Sequence, residues 1–211
     1  MPDRTPERAF QPRHVQLARA LFAVVAAVMI TFSPDHSASV GLSVFSGFAI
    51  ATALVLLISA WLVFPAGQRA LVLTLGVLTA LAGMASGIPA FRTTEVFFGV
   101  VVSWALLTGL VEGIAGFRAR RGSARGSALR SQANDELTVG VVGVLLGLGL
   151  LLVPTQYALD YYIDEAAQSF TLTGITIGVG LFGAYAAIVG VYLAIAAFSP
   201  RRETSVTEVA S

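Results

Sequence analysis

The sequence predicts an all-α integral membrane protein, a six-helix bundle built from three parallel two-helix hairpin repeats in a pseudo-threefold arrangement. Three features of the chain point to it. Of the 211 residues, 56% are hydrophobic and only 12% are charged, about half the charge of a soluble domain. The apolar residues fall into six runs, 15–32, 39–64, 70–88, 95–117, 137–153 and 170–198, each close to the roughly 20 helical residues that cross a hydrocarbon core of about 30 Å. The runs also repeat in pairs: each outward run stops at a proline, and each returning run has the same frame of aromatic residues.

Helices are required because backbone N–H and C=O groups facing lipid must be paired within the segment or in a closed barrel. Barrel strands would be about ten residues long and alternate apolar with polar; these runs are longer and apolar on all faces. Residues 1–14 carry charge and three prolines and are expected to form a disordered cytoplasmic tail. A cleaved signal peptide is the alternative for the first run, because Leu21 to Phe32 follows arginines and precedes small residues. Its use as the first helix of the repeat favours retention.

The outer loops are "FSPDHS", "GIPAFR" and "LVPTQY", with Pro34, Pro89 and Pro154 ending the outward helices, since proline cannot easily continue a helix. The returning helices "FAIATALVLLISAW" (48–61), "WALLTGLVEGIAGF" (104–117) and "YAAIVGVYLAIAAF" (185–198) each open with an aromatic and Ala and end in an aromatic. Ala53, Gly109 and Gly190 occupy the same place in them. The three units are about 15–64, 70–117 and 137–198 within one membrane domain, 15–198, and parallel repeats are related by an axis along the membrane normal. The third unit carries an extra stretch, "YALDYYIDEAAQS", expected to be a short interfacial helix because its tyrosines suit the headgroup region. Residues 199–211 are expected to be a second disordered cytoplasmic tail. Glycine pairs Gly83/Gly87, Gly109/Gly113, Gly143/Gly147 and Gly174/Gly178 lie on single helix faces and predict close helix contacts.

Charge sets the expected orientation. One face holds Arg4, Arg8, Arg13, Arg19, Arg69, Arg118, Arg120, Arg121, Arg125, Arg130, Arg201 and Arg202; the other holds Arg92 alone. The positive-inside rule then places both termini in the cytoplasm of a bacterial plasma membrane. The opposite face is acidic, with Asp35, Glu95, Asp160, Asp164 and Glu165. The arginines are expected to meet anionic lipid headgroups rather than nucleic acid. A homo-oligomer is compatible with the sequence, and no small-molecule substrate is indicated.

Several chemistries are excluded. There is no cysteine and no lysine, which removes disulfides, thiolate nucleophiles, P-loop lysines and Schiff bases. His14 and His36 lie on opposite faces and cannot share a metal or haem. No metalloprotease, hydrolase or dinucleotide fingerprint occurs. The expectation is a protein that is not an enzyme and holds no cofactor or metal.

Two-helix units with a proline at the outer turn, a returning helix of the "WALLTGLVEGIAGF" type and arginines after it resemble the HdeD-like family of small bacterial inner-membrane proteins. The resemblance covers roughly 17–202. It implies a role in envelope or acid stress.

Glu112 stands inside an otherwise apolar run, five residues before Phe117. It is either a structural carboxylate tied to cytoplasmic arginines or a neighbouring helix, or an ion or proton site. The other repeats carry Leu56 and Leu193 nearby, so no ring of carboxylates exists. Asp160, Asp164 and Glu165 are candidates for a pH-responsive outer loop, because clustered carboxylates disfavour joint ionisation; a solvated acidic face is the plainer alternative. Asp35-His36 fits a solvated turn, and Arg92 with Glu95 a local pair. Two functions therefore stand: a non-enzymatic multi-pass membrane protein in stress or membrane organisation, or a small carrier or channel for protons or a small solute using Glu112. A carrier needs polar groups at mid-membrane, for which Ser103, Thr108, Thr176 and Tyr185 are the candidates.

Overall fold

The computed structural model describes residues 10–164 and 168–199. Most of both expected tails, and Glu165, lie outside the described residues. The helices are α1 (Pro12–Phe32), α2 (Ala38–Leu62), α3 (Arg69–Gly87), α4 (Thr94–Gly122), α5 (Ala128–Leu151) and α6 (Gly174–Phe198), and all six are long and apolar enough to cross a membrane. Two strands, β1 (Ala158–Ile163) and β2 (Gln168–Thr173), precede α6. The protein is an all-helical membrane bundle carrying one small hairpin.

Four boundaries differ from expectation by three residues or more, one of them the end of α4, which runs to Gly122 rather than 117. Helix α1 starts at Pro12 rather than beyond residue 14, because proline suits the first helical position and the Gln11 N–H is satisfied by His14 Nδ1 at 3.0 Å. Helix α5 starts at Ala128, within the stretch expected to be a loop. Ser127 accepts from the Arg130 N–H at 3.2 Å and fixes that start. Hydropathy marks where hydrocarbon begins, whereas a helix pairs its own backbone on either side of that boundary. Helix α6 starts at Gly174 because residues 170–173 belong to β2.

The extra stretch in the third loop is an antiparallel hairpin, not an interfacial helix. Leu159 pairs with Leu172, Asp160 with Thr171 and Tyr162 with Ser169. Leu159, Asp160 and Tyr161 alternate apolar with polar, and Thr171 and Thr173 are β-branched, so the segment has strand period and strand propensity. The Thr171 hydroxyl donates to Asp160 Oδ1 at 2.6 Å across the ladder.

Each helix packs on its chain neighbours, and α1 packs on α6, closing a ring. Tight and loose contacts alternate around it. The tight pairs are α4 with α5, α2 with α3 and α1 with α6; the pairs that share a proline loop are the loose ones. In the α4/α5 seam a Cβ on Gly109 would lie 2.7 Å from the Val144 backbone nitrogen. Nothing larger than glycine fits there, which is the close backbone approach that paired glycines permit.

Helices α2, α4 and α6 line the axis. Ala49, Ala105 and Ala186 are all fully buried. Next to them, Phe45, Phe48, Trp104, Phe182 and Tyr185 interlock edge-to-face, with Phe45 5.1 Å from Trp104 and 5.4 Å from Phe182. Phe48 lies 5.8 Å from both Trp104 and Phe182, and Trp104 5.7 Å from Tyr185. These rings fill the bundle toward the proline loops. Toward the arginine-rich end the filling is polar.

Candidate functional site: a polar chamber at the arginine-rich end

Eight residues along α4 from Trp104 is about 12 Å of helix rise, and there Glu112 meets Arg19 of α1. The contact is bidentate: Arg19 Nη1 donates to Glu112 Oε1 at 2.9 Å and Nη2 to Oε2 at 3.4 Å. Helices α1 and α4 face each other across the ring, so this pair spans the bundle. The Glu112 side chain is 6% exposed and that of Arg19 17%. Glu112 is therefore not tied to Arg118, Arg120 or Arg121. Its partner comes from the far side, where Arg19 can turn inward because the neighbouring inward positions, Ala20 and Ala23, are small and buried.

One turn before Arg19, Gln16 makes a second crossing. Its Nε2 donates to Asp135 Oδ2 of α5 at 2.9 Å, and the Tyr192 hydroxyl of α6 donates to Asp135 Oδ1 at 3.1 Å. Gln16 and Asp135 are both buried. Glu136 beside it accepts from Gln132 Nε2 at 3.2 Å. Residues three apart share a helix face, so a single face of α1 carries both Gln16 and Arg19 to the axis.

Two cavities surround these groups. A cavity of about 60 Å³ opens among Pro12, Phe64, Gln132 and Glu136, and is lined deeper by Arg19 and Glu112. A second, of about 20 Å³, lies further in, between Arg19 and Glu112 and the Trp104 ring, with Thr52, Thr79 and Tyr185 in its wall. Leu56, Leu75 and Leu193 line both. Thr79 Oγ1 accepts from Trp104 Nε1 at 3.2 Å, and the Thr108 hydroxyl donates to its own helix at Trp104 O, 2.6 Å away. Thr52 Oγ1 is buried with no partner among the described residues.

Of the polar residues named from the sequence as mid-membrane candidates, Thr108 and Tyr185 line the inner cavity. Ser103 is exposed on the outer surface of the bundle, and Thr176 sits in the first turn of α6 beside the Thr173 cap. Sequence reasoning does not single out Gln16, Asp135, Glu136 or Thr52. Asp135 and Glu136 lie in a segment whose polarity suggests a loop, and the usable signal is their helical spacing to the buried Val139 and Leu146.

The outer acids are placed elsewhere. Asp35 accepts from the Ser37 N–H at 2.8 Å and the Ser37 hydroxyl at 2.9 Å, which makes it a turn-forming residue before α2. Asp160 lies on the exposed hairpin and Asp164 just after β1. Among the described residues no ion pair joins Arg92 and Glu95, and Arg92 Nε is buried without a partner there. Among the described residues no three acidic or histidine side chains converge to hold a metal.

The chemistry available is that of one guanidinium and several carboxylates around a space sized for water. That space faces the arginine-rich end and is separated from the proline loops by aromatic rings. No family model, no curated protein and no solved structure matches this chain.

Proposed function

We propose that the protein is a non-enzymatic, multi-pass protein of the bacterial plasma membrane, HdeD-like in type, with both termini in the cytoplasm and a role in envelope or acid stress or in membrane organisation. The observation that carries this reading is the interlocked aromatic layer. Phe45, Phe48, Trp104 and Phe182 fill the axis beyond the chamber, which suits a sealed membrane element better than a permeation path. A threefold hairpin repeat is supported by positions that match in the three returning helices and also lie together. Ala49, Ala105 and Ala186 are equally buried, and Leu56, Glu112 and Leu193 line the same cavity. The test is survival of cells lacking the protein after acid or detergent challenge, with and without a plasmid-borne copy. Survival unchanged by either would remove the stress role.

A second reading, a small carrier for protons or a small solute, is favoured by one observation: the buried Arg19–Glu112 pair faces a cavity. Leucine serves at both matching positions, so packing alone does not call for a buried ion pair, and ionisable groups inside a membrane usually serve a pathway. Purified protein in vesicles under a proton gradient decides this. Flux abolished by Glu112→Gln would support a carrier, and background flux would reject it.

A further inference from the structure

We propose that the β1–β2 hairpin lies flat in the headgroup layer on the proline-loop side of the membrane, with its Leu159–Tyr161 face on lipid and its Asp160–Thr171 face in water. Successive residues of a strand point to opposite faces, and residues paired across a ladder share one. The register therefore gives two unlike faces. Leu159 pairs with Leu172 and Tyr161 with Phe170 on one; Asp160 pairs with Thr171 and Tyr162 with Ser169 on the other. No charged residue holds a register position on the first face. The bundle does not cover that face: Leu159 is 49% exposed and Tyr161 45%. A two-stranded hairpin by itself is at best marginally stable in water and needs further packing.

The root of the hairpin decides what supplies that packing. Leu151 and Leu152, at the end of the spanning helix α5, are largely exposed and bring the hydrocarbon boundary next to Pro154. On the other side β2 passes into α6 without a linker: Thr173 ends the strand and caps the helix, accepting from the Thr176 N–H at 3.3 Å. The Gly174 N–H donates to Tyr157 O at 2.9 Å, and a Cβ on Gly174 would collide with the Pro154 carbonyl oxygen. The hairpin is therefore held at the lipid surface by its root. Strands of six residues reach about 20 Å, whereas the headgroup layer on one side is roughly 5–8 Å deep. Standing upright, they would leave most of the apolar face in water. Lying flat, they keep all of it at the depth where tyrosine is enriched. A second copy fits less well, because two strands present roughly 200 Å², and two such faces fall far below the roughly 1,200 Å² of a specific interface. The inference rests on the bundle's crossing a membrane and on neither functional reading.

Two measurements test it. The chain has no cysteine, so a nitroxide can be attached at one chosen position of the full chain. In vesicles of phosphatidylethanolamine and phosphatidylglycerol, collision with oxygen, which concentrates in lipid, is compared with collision with a neutral nickel chelate, which stays in water. Labels on Leu159→Cys and Tyr161→Cys should collide chiefly with oxygen, and labels on Tyr162→Cys and Ser169→Cys chiefly with the chelate. One reagent dominant at all four positions, or neither reaching Tyr161→Cys, overturns the proposal. So does spin–spin broadening at Tyr161→Cys that dilution with unlabelled chain removes, since a second copy would then cover the face. Amide exchange in the same vesicles is independent of labelling. Tyr161→Ser should raise exchange in both strands by about tenfold, through the loss of one packed aromatic side chain, and Tyr162→Ser should leave it unchanged. Equal effects of the two substitutions overturn the proposal.

Discussion

Glu112→Leu should destabilise the bundle strongly, and Arg19→Met made together with it should restore most of the loss. The Glu112 side chain is 6% exposed and its partner 17%, so the pair is buried beyond the reach of ordinary solvent screening. Removing one member leaves a charge in the chamber without its counter-charge, a change that costs about 3–5 kcal/mol in buried pairs. Removing both leaves an apolar layer in which the introduced leucine joins Leu56 and Leu193, the side chains that the bundle already packs on its other two sides. Replacement of a buried pair by apolar groups is neutral or stabilising by about 1–4 kcal/mol, and the double variant is expected at the neutral end of that range. The assay is thermal unfolding in detergent, followed by loss of monodisperse protein. The double substitution should lie within about 1 kcal/mol of the parent while each single one falls well below it. A double variant as unstable as Glu112→Leu alone would refute the reasoning, because Arg19 would then contribute something other than the pair.

Other consequences follow from the same packing. Gly109→Val should collapse the α4/α5 seam and lower folded yield sharply, since even a Cβ meets backbone there at 2.7 Å; Gly99→Val, with open space around it, should leave yield unchanged. Asp160→Ala should raise amide exchange in β1 and β2 by removing the 2.6 Å bond from Thr171, a local loss of about 0.5–1.5 kcal/mol, without changing exchange in the helices. Reporter fusions after residues 67 and 125 should report cytoplasm, and those after 36 and 91 the outside. A reversed pattern would contradict the orientation drawn from the arginines.

The number, type and approximate length of the spans were legible because hydrocarbon imposes them: no other arrangement of these apolar runs pairs its backbone. The aromatic and alanine positions that meet on the axis were legible too, as a repeated frame without a stated reason. Less was legible at the polar ends. Ala128 to Glu136 form helix because a cap at Ser127 and self-paired backbone suffice there, whatever the hydropathy. In the hairpin the tyrosines suggest an interfacial helix, whereas the alternation of Leu159, Asp160 and Tyr161 is the signal that decides the structure. For the site, Glu112 was conspicuous as a lone acid, but its partner was not. Arg19 is one of many arginines near that face, and only the ring closure between α1 and α6 brings it across from Glu112. Gln16 and Asp135 needed the same closure, being far apart in the chain and on helices that are not neighbours in the ring.

The most direct test is an experimental structure of the full chain in a lipid nanodisc, at a resolution that shows ordered water. Arg19 should be bidentate on Glu112 at the centre of the ring, with no water among the Phe45, Phe48 and Trp104 rings. Arg19 turned outward to the headgroups with Glu112 left alone, or water threading the aromatic rings, would contradict the buried pair and the sealed axis above it.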